Sequence, residues 1–504
     1  MPRHQDCQAN FFYSRPKKRV SATLVSSTHE TRTERDSLGS VQVPKDVYYG
    51  AETARAVDNF PISGIRAHPE FVRATVLVKK AAAEANITLG SLDGQIGQAI
   101  VSAADEILRG KLTDQFVVDV FQAGAGTSHN MNANEVLANR AIELMGGGKG
   151  DYRIVSPHDH VNMAQSTNDT FPTFLRVSSA LLTEPLKKVL LELQTSLESK
   201  AKEFDHIVKS GRTHLQDASP IRLGQEFAAF ARIIGDDISR LERAMDKIME
   251  LNLGGTAVGT GLNADPKYVQ LAVENINRYT GLKFRTAGNY AALMQSMTDF
   301  VALSGTLRDL SVDLTKISND LRLMSSGPVT GIGEIALPPV QPGSSIMPGK
   351  VNPVMAEMLN MVSFEIIGND LTISMAGQAG QFELNVMMPV IAYDLTQSLV
   401  ILTNAIRSFT QKLVVGIRAN QERCEGLLAK SAAIALALNP FIGYDKAAEV
   451  AKEALARGVP LRDVVLEKKL LTEKELDEIL DPYAMTTPGV HGTKSEKKSE
   501  LSGQ

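Results

Sequence analysis

Apolar residues recur through most of the chain at the three- and four-residue spacing of a helix face. From about Glu184 to Lys209 the stripe is Leu186, Val189, Leu190, Leu193, Leu197, Phe204 and Val208. Leu223 to Leu253 carries Phe227, Phe230, Ile234, Ile238, Leu241, Met245 and Ile248. A third stretch, Ala291 to Met324, carries Leu293, Met297, Phe300, Leu303, Leu307, Leu310, Leu314, Ile317 and Leu321. Two more stretches with helical spacing follow, Val354–Met375 and Met387–Val414. A helix of about 30 residues is about 45 Å long, so these five stretches predict an elongated bundle. The segments VMAEMLNMVSFEII and PVIAYDLTQSLVILTNAI are apolar on more than one face. A slender bundle cannot bury both faces of such helices, so bundles are expected to pack on one another in an oligomer. The stripes themselves read as scaffold and not as cofactor sites.

On either side the pattern changes. Residues 68–89 are rich in alanine and other good helix formers. Beyond about residue 420 the helical signals shorten: YDKAAEVAKEALARG ends at Gly458, a plausible left-handed cap, and Thr472-x-x-Glu475 is a capping-box start. The tail from about Thr487, rich in Lys, Ser and Gly, is expected to be disordered. At the other end Arg3, Arg15, Lys17, Lys18 and Arg19 face one acid, Asp6, ahead of a Ser- and Thr-rich run. A flexible basic tail is the favoured reading there, and an organelle-targeting peptide the alternative. The expected organisation is all-α: a tail over residues 1–31, a mainly helical domain over 32–162, the long-helix bundle over 163–420, and a small helical domain with its tail over 421–504.

Composition narrows the function classes. A net charge of −4 offers no large basic surface and argues against nucleic acid as a partner. Two cysteines, Cys7 and Cys424, rule out a disulfide framework and fit a reducing compartment. No run of about 18 apolar residues suggests a membrane span. The histidines show no HExxH spacing and no CxxC occurs, so zinc motifs are absent.

Candidate chemistry lies between the helices. GAGTSHNMNANE (124–135), HVNMAQSTND (160–169), GRTHLQDA (211–218), GGTAVGTGLN (254–263) and PGSSIMPGKVNP (342–353) are dense in Gly, Ser, Thr, Asn and His. The last is not a phosphate loop: Gly343 and Gly349 are one residue too far apart, and Val351 stands where a metal-binding hydroxyl belongs. Any one of these loops alone is more often helix capping than a site. Brought together, Thr127, Ser166, Thr167, Asn168, Thr213, Lys350 and Asn352 would suit a small dianion, with the lysine as point charge and the neutral donors giving direction. His214 adds an imidazole, a side chain suited to proton transfer, although a lone histidine is more often structural.

GSSIMPGKVNP closely resembles the signature of the fumarase/aspartase superfamily, and GAGTSHNMNANE, QSTND, GRTHLQDA and TAVGTGLN stand in that family's order and spacing. The resemblance covers roughly residues 32 to 490. It implies a three-domain helical lyase whose five-helix bundles form a tetramer core, with each active site shared between subunits. It also implies a small dicarboxylate substrate, no membrane, no organic cofactor and no obligatory metal; magnesium activation is compatible with it. YYGAETARA, GAGTS, QSTND, NPVMAE and the closing VVLEKKLLTEKELDEILDPYAMTTPG lean to the aspartase branch, which removes ammonia from L-aspartate to give fumarate. A class II fumarase is the alternative, and a catalytically inactive scaffold the alternative from another class. By the same resemblance Ser344 is the base. Thr127, Ser166, Thr167 and Ser345 hold the β-carboxylate, while Lys350, Asn352, Thr213 and Arg55 hold the α-carboxylate. Asn168, Thr127 and His214 lie near the amino group, and Glu357 orients His214. Val329 after SSGP, Met388 in NVMMP, QAGAG at 122–126, His129 and FELNV depart from the aspartase pattern and bear on substrate preference more than on reaction type. A cytoplasmic location is expected, or an organelle matrix if the basic segment is a transit peptide.

Overall fold

The structure is a computed structural model that describes residues 30–493. The basic segment therefore lies outside the described residues, except that its last two positions are already placed: Lys45 N–H donates to the Glu30 carbonyl, and Thr31 opens a strand. Strands β1 (Thr31–Asp36) and β2 (Gly39–Pro44) form an antiparallel hairpin that leads to helix α1 (Ala51–Asn59). Helix α2 (Pro69–Thr88) starts on a His68 cap with proline at its first position. With α3 (Gly94–Leu108) and α4 (Thr127–Leu144) it encloses a first core around Val76, Ile100, Val136 and Leu137. The other face of α2, with Phe71, Ala74 and Val78, joins the core of the bundle.

The bundle is built from α5 (Thr167–Glu203), α6 (Leu223–Ile248) and, after α7 (Pro266–Thr280) and α8 (Tyr290–Gln295), the long helices α9 (Thr298–Met324), α10 (Val354–Gln378) and α11 (Met388–Lys412). The packed neighbours are α5 with α6, α6 with α9, α9 with α10, α10 with α11, and α11 back to α5. Leu193, Leu241, Leu314, Leu359 and Leu395, one from each long helix, all belong to its core. The fold is predominantly helical as expected, and among the described residues the strands form four two-stranded pairs.

Several boundaries differ from the periodicity. Helix α5 begins at Thr167, because Thr170–Ala180 is buried on every side and has no polar face to reveal a stripe. It stops at Glu203, where the chain turns into the antiparallel hairpin of β3 (Val208–Thr213) and β4 (Gln216–Arg222). Helix α6 stops at Ile248, and Glu250–Leu251 pairs with Arg285–Thr286 instead. The third stretch is two helices, broken where Ser296 Oγ accepts from Thr298 N–H. The C-terminal unit packs short helices, Tyr444–Arg457 and Glu473–Ile479 among them, around Leu438, Val464 and Leu476, with Gly458 and the Thr472/Glu475 box capping as predicted. Disorder from Thr487 needs correcting. Thr487 Oγ1 donates to the Ala484 carbonyl at 2.7 Å, and Gly492 lies against Ile479, so described structure continues to Thr493.

Alternating helix directions give the bundle two ends. The start of α5, the end of α6 and the start of α9 meet where Arg176 donates to the Lys247 carbonyl and to Asp299. At the opposite end Glu334 pairs with Lys209 and Arg212 beside the last turn of α9. The 27 residues of α9 separate these ends by about 40 Å. Among the described residues no single helix is long and apolar enough to cross a membrane.

Candidate active site

The first end gathers three of the polar loops. Gly126, at φ +94°, caps the start of α4, and the Phe171 ring occupies the space a side chain there would need. Thr127 follows, exposed, with its hydroxyl donating to the Gly124 carbonyl at 2.7 Å. Ser166 is the N-cap of α5: its Oγ accepts from Asn168 N–H at 3.3 Å, while its own N–H donates to Asp169 Oδ1 at 2.9 Å. Thr167 Oγ1 accepts from Asn130 Nδ2 at 3.2 Å. Asn168 Nδ2 reaches the Ala257 carbonyl at 2.8 Å, and Asp169 Oδ2 takes the N–H groups of Gly254 and Thr256 at 2.9 and 3.0 Å. GAGTS, QSTND and GGTAVGTGLN thus form one surface, with Thr127, Ser166, Thr167 and Asn168 on it.

Beneath this surface lie groups that the sequence reading missed. Lys79 is fully buried, and its Nζ donates to Asn162 Oδ1 and Gln165 Oε1 at 3.0 and 2.9 Å. Burial lowers its pKa to about 7, against the pull of Asp169. Burial raises the Asp169 carboxyl to about 7, although three backbone N–H groups favour its charged form. Two patterns could have exposed them: Val72, Val76, Lys79 and Ala83 share a helix face, and Ser166-x-x-Asp169 is a capping box. His129 is not beside the loop surface but below it. Its Nε2 lies 2.9 Å from Thr75 Oγ1 among Phe71, Phe116, Phe171 and Phe174, and burial pushes its pKa down to about 3.

Arg55 stands apart within the chain. Its guanidinium grips Asp36 at 2.6 and 3.1 Å on the β1–β2 turn. Its helix is held by Glu135, a second missed residue, whose carboxylate accepts from the N–H groups of Gly50, Glu52 and Thr53. Burial raises the Glu135 pKa to about 7.

The opposite end carries the rest. GRTHLQDA is the β3–β4 hairpin: Thr213 ends the strand, and His214 and Leu215, at φ +55° and +58°, form its exposed tip. PGSSIMPGKVNP is a closed loop. Gly343 N–H donates to the Lys350 carbonyl at 2.8 Å, and Asn352 Nδ2 returns to the Gly343 carbonyl at 2.7 Å. A side chain on Gly343 would collide with that Lys350 carbonyl. Ser344 Oγ accepts from the N–H groups of Ile346 and Met347 at 3.2 and 3.0 Å. Ser345 and Lys350 are exposed, and Lys350 and Asn352 line a groove with Arg322, Ser326 and Glu357. Val329 is exposed at the rim of this region, while Met388 is fully buried in the bundle core and reads as packing. Among the described residues of one chain, His214 and Glu357 share no hydrogen bond or ion pair, and no cluster of three or more His, Cys, Asp or Glu side chains is placed to hold a metal.

Comparisons with known proteins identify the family. The family described as Lyase matches residues 39–368, and the fumarase C C-terminus family matches residues 434–487. An aspartate ammonia-lyase of Bacillus subtilis is 51% identical over 93% of this chain and 99% of its own. A class II fumarate hydratase of Halobacterium salinarum is 50% identical over 92% of this chain and 98% of its own. A solved structure from Brucella melitensis, titled fumarate lyase:delta crystallin bound to cobalt, superposes with a TM-score of 0.87 at 48% identity, covering 91% of this chain and all of that one. With its motifs in order along a matching fold, the chain belongs to the fumarase/aspartase superfamily of lyases.

Proposed function

We propose that the protein is an aspartate ammonia-lyase, a carbon–nitrogen lyase that reversibly converts L-aspartate to fumarate and ammonia. The observation that carries this reading is near-complete coverage, at 47–51% identity, by aspartate ammonia-lyases from several bacteria, together with intact candidate residues at both ends of the bundle. In the reaction a base takes a proton from Cβ while ammonia departs from Cα on the opposite face. The carbanion spreads its charge onto the β-carboxylate, which needs donors already in place. Thr127, Ser166, Thr167 and Ser345 would meet that carboxylate; Lys350, Asn352 and Thr213, with Arg55, would meet the other; Asn168 and His214 would flank the amino group.

Ser344 would be the base. A serine hydroxyl is far too weak an acid to ionise unaided near neutrality, but its Oγ already accepts two backbone N–H groups, which favour the alkoxide. Ammonia leaves more readily than hydroxide, so His214 would serve binding here, whereas a fumarase would need it as general acid. Glu357 would orient His214 across a subunit boundary.

The reading includes a homotetramer with shared sites. Two ends about 40 Å apart cannot converge within one chain. Helix α10 also leaves Met361, Phe364, Leu371 and Met375 exposed along one stripe, which suits packing against other bundles. No organic cofactor, no obligatory metal and a cytoplasmic location complete the proposal.

The test is to offer L-aspartate and L-malate separately and follow fumarate by its ultraviolet absorbance. Fumarate from aspartate alone is expected. Fumarate from malate alone would make the protein a fumarase, and silence with both would favour a scaffold.

A further inference from the structure

We propose that Lys79 is a positioning residue that sets the direction of the hydrogen bonds ending on Thr167, so that the Thr167 hydroxyl is turned outward as a donor to the substrate carboxylate. The inference rests on the functional reading above. Lys79 occupies a costly position: it is fully buried on the core face of α2, and among the described residues no carboxylate is in ion-pair contact with it. Such a group is weak support for stability, and its geometry suggests another use.

The Lys79 nitrogen donates to both amides it meets, which it can do with two protons or three. The two amides it meets must therefore present oxygen, which fixes Asn162 with Oδ1 toward Lys79. That same oxygen accepts from Asn130 Nδ2 at 3.2 Å and from Asn134 Nδ2 at 3.1 Å. Asn130 is thereby turned with its NH2 toward the loops, and its Oδ1 lies 3.4 Å from the Thr170 hydroxyl, which donates chiefly to the Ser166 carbonyl at 2.8 Å. The second hydrogen of that NH2 goes to Thr167 Oγ1 at 3.2 Å. A threonine oxygen that accepts from inside is left with its own O–H to give outside. The lysine also steadies the turn itself: Gln165 Nε2 donates to the Val161 and Met163 carbonyls across Ala164, a non-glycine residue at φ +59°. Reversing one amide in this chain would reverse the next and aim the Thr167 proton inward.

The β-carboxylate gains charge as the Cβ proton leaves, so a misdirected donor costs more in the transition state than in the ground state. The experiment is a double-mutant cycle on the full-length protein with Lys79→Met and Thr167→Val, reading kcat, KM and thermal midpoint. Thr167→Val is expected to lower kcat about 100-fold, and Lys79→Met about tenfold with a smaller change in KM. In the Thr167→Val background, Lys79→Met should change kcat by no more than about twofold, because the relay has lost its end. If Lys79→Met does not fold, Asn130→Ala cuts the same relay one bond from Thr167 and replaces it in the cycle. Independent, multiplying effects, or a lower thermal midpoint with unchanged kcat, would overturn the proposal and leave these residues a structural role. Both L-aspartate and L-malate are offered. An error in the substrate reading then shows in the wild type alone, and a wild type inert to both overturns the two proposals together.

Discussion

The two ends of the bundle carry similar residues in opposite settings. At the start of α5 the hydroxyls and amides rest on a polar layer of buried Lys79, Asn130 and Asp169 and half-buried Asn162, each hydrogen-bonded, and the loops above them are tied through Gly254, Thr256 and Ala257. At the start of α10 the 343–352 loop is closed by little more than its own backbone, and the β3–β4 tip is exposed. One end is pre-organised by its own chain, as electrostatic catalysis requires. The other has chemistry but no walls. Under the proposed reading, a shared site would take its rigid part from one subunit and the exposed elements, the 343–352 loop and the β3–β4 tip, from others.

The largest effect should come from the exposed end. Ser344→Ala is expected to lower kcat by about 10³-fold or more while the assembly and thermal midpoint stay unchanged, because the two N–H groups it leaves are open to water. Full activity in this variant would remove Ser344 as the base. A second experiment tests the division itself. Thr167→Val and Lys350→Ala chains are each expected to be nearly inactive. Unfolded and refolded together in equal amounts, they should regain about one quarter of wild-type activity, the fraction of sites that draw both intact residues from different chains of a symmetric oligomer. No recovery in correctly assembled mixtures would place both residues in a single chain's site.

Much of this was legible beforehand, and unevenly so. The amphipathic bundle helices announced themselves through their stripes, since one face meets solvent or a neighbour and the other the core. The start of α5 did not, because a helix buried all round has no period to read. The motif loops were found by composition, but GRTHLQDA was read as a helix-end loop and is a hairpin; two consecutive positive-φ residues, His214 and Leu215, are unusual for those side chains. The supporting layer was missed for a related reason. Lys79 and Asp169 are charged residues on otherwise apolar or capping positions, and a local pattern does not say which buried partner will satisfy them. Likewise His129, read only as a departure from the family pattern, needed the fold to place it beneath the loops.

The contrast can be sharpened on stability alone. Asp169→Asn keeps the shape of the side chain but turns one of its two acceptor oxygens into an NH2, so that either the Ser166 N–H or the N–H groups of Gly254 and Thr256 lose their acceptor. At least one N–H then faces a donor, and an unsatisfied buried donor costs about 1–3 kcal/mol. A loss of about 1–3 kcal/mol is expected, read from the denaturant midpoint. Asn352→Ala removes one hydrogen bond, to the Gly343 carbonyl, at the base of a loop that water reaches. Water replaces that partner, so stability should change by no more than about 1 kcal/mol, while turnover is expected to fall sharply because a proposed carboxylate ligand is gone. A large stability loss in Asn352→Ala would mean that the 343–352 loop is as firmly built as the opposite end. The division into a rigid half and an exposed half would then be wrong, even if both halves still met across a subunit boundary.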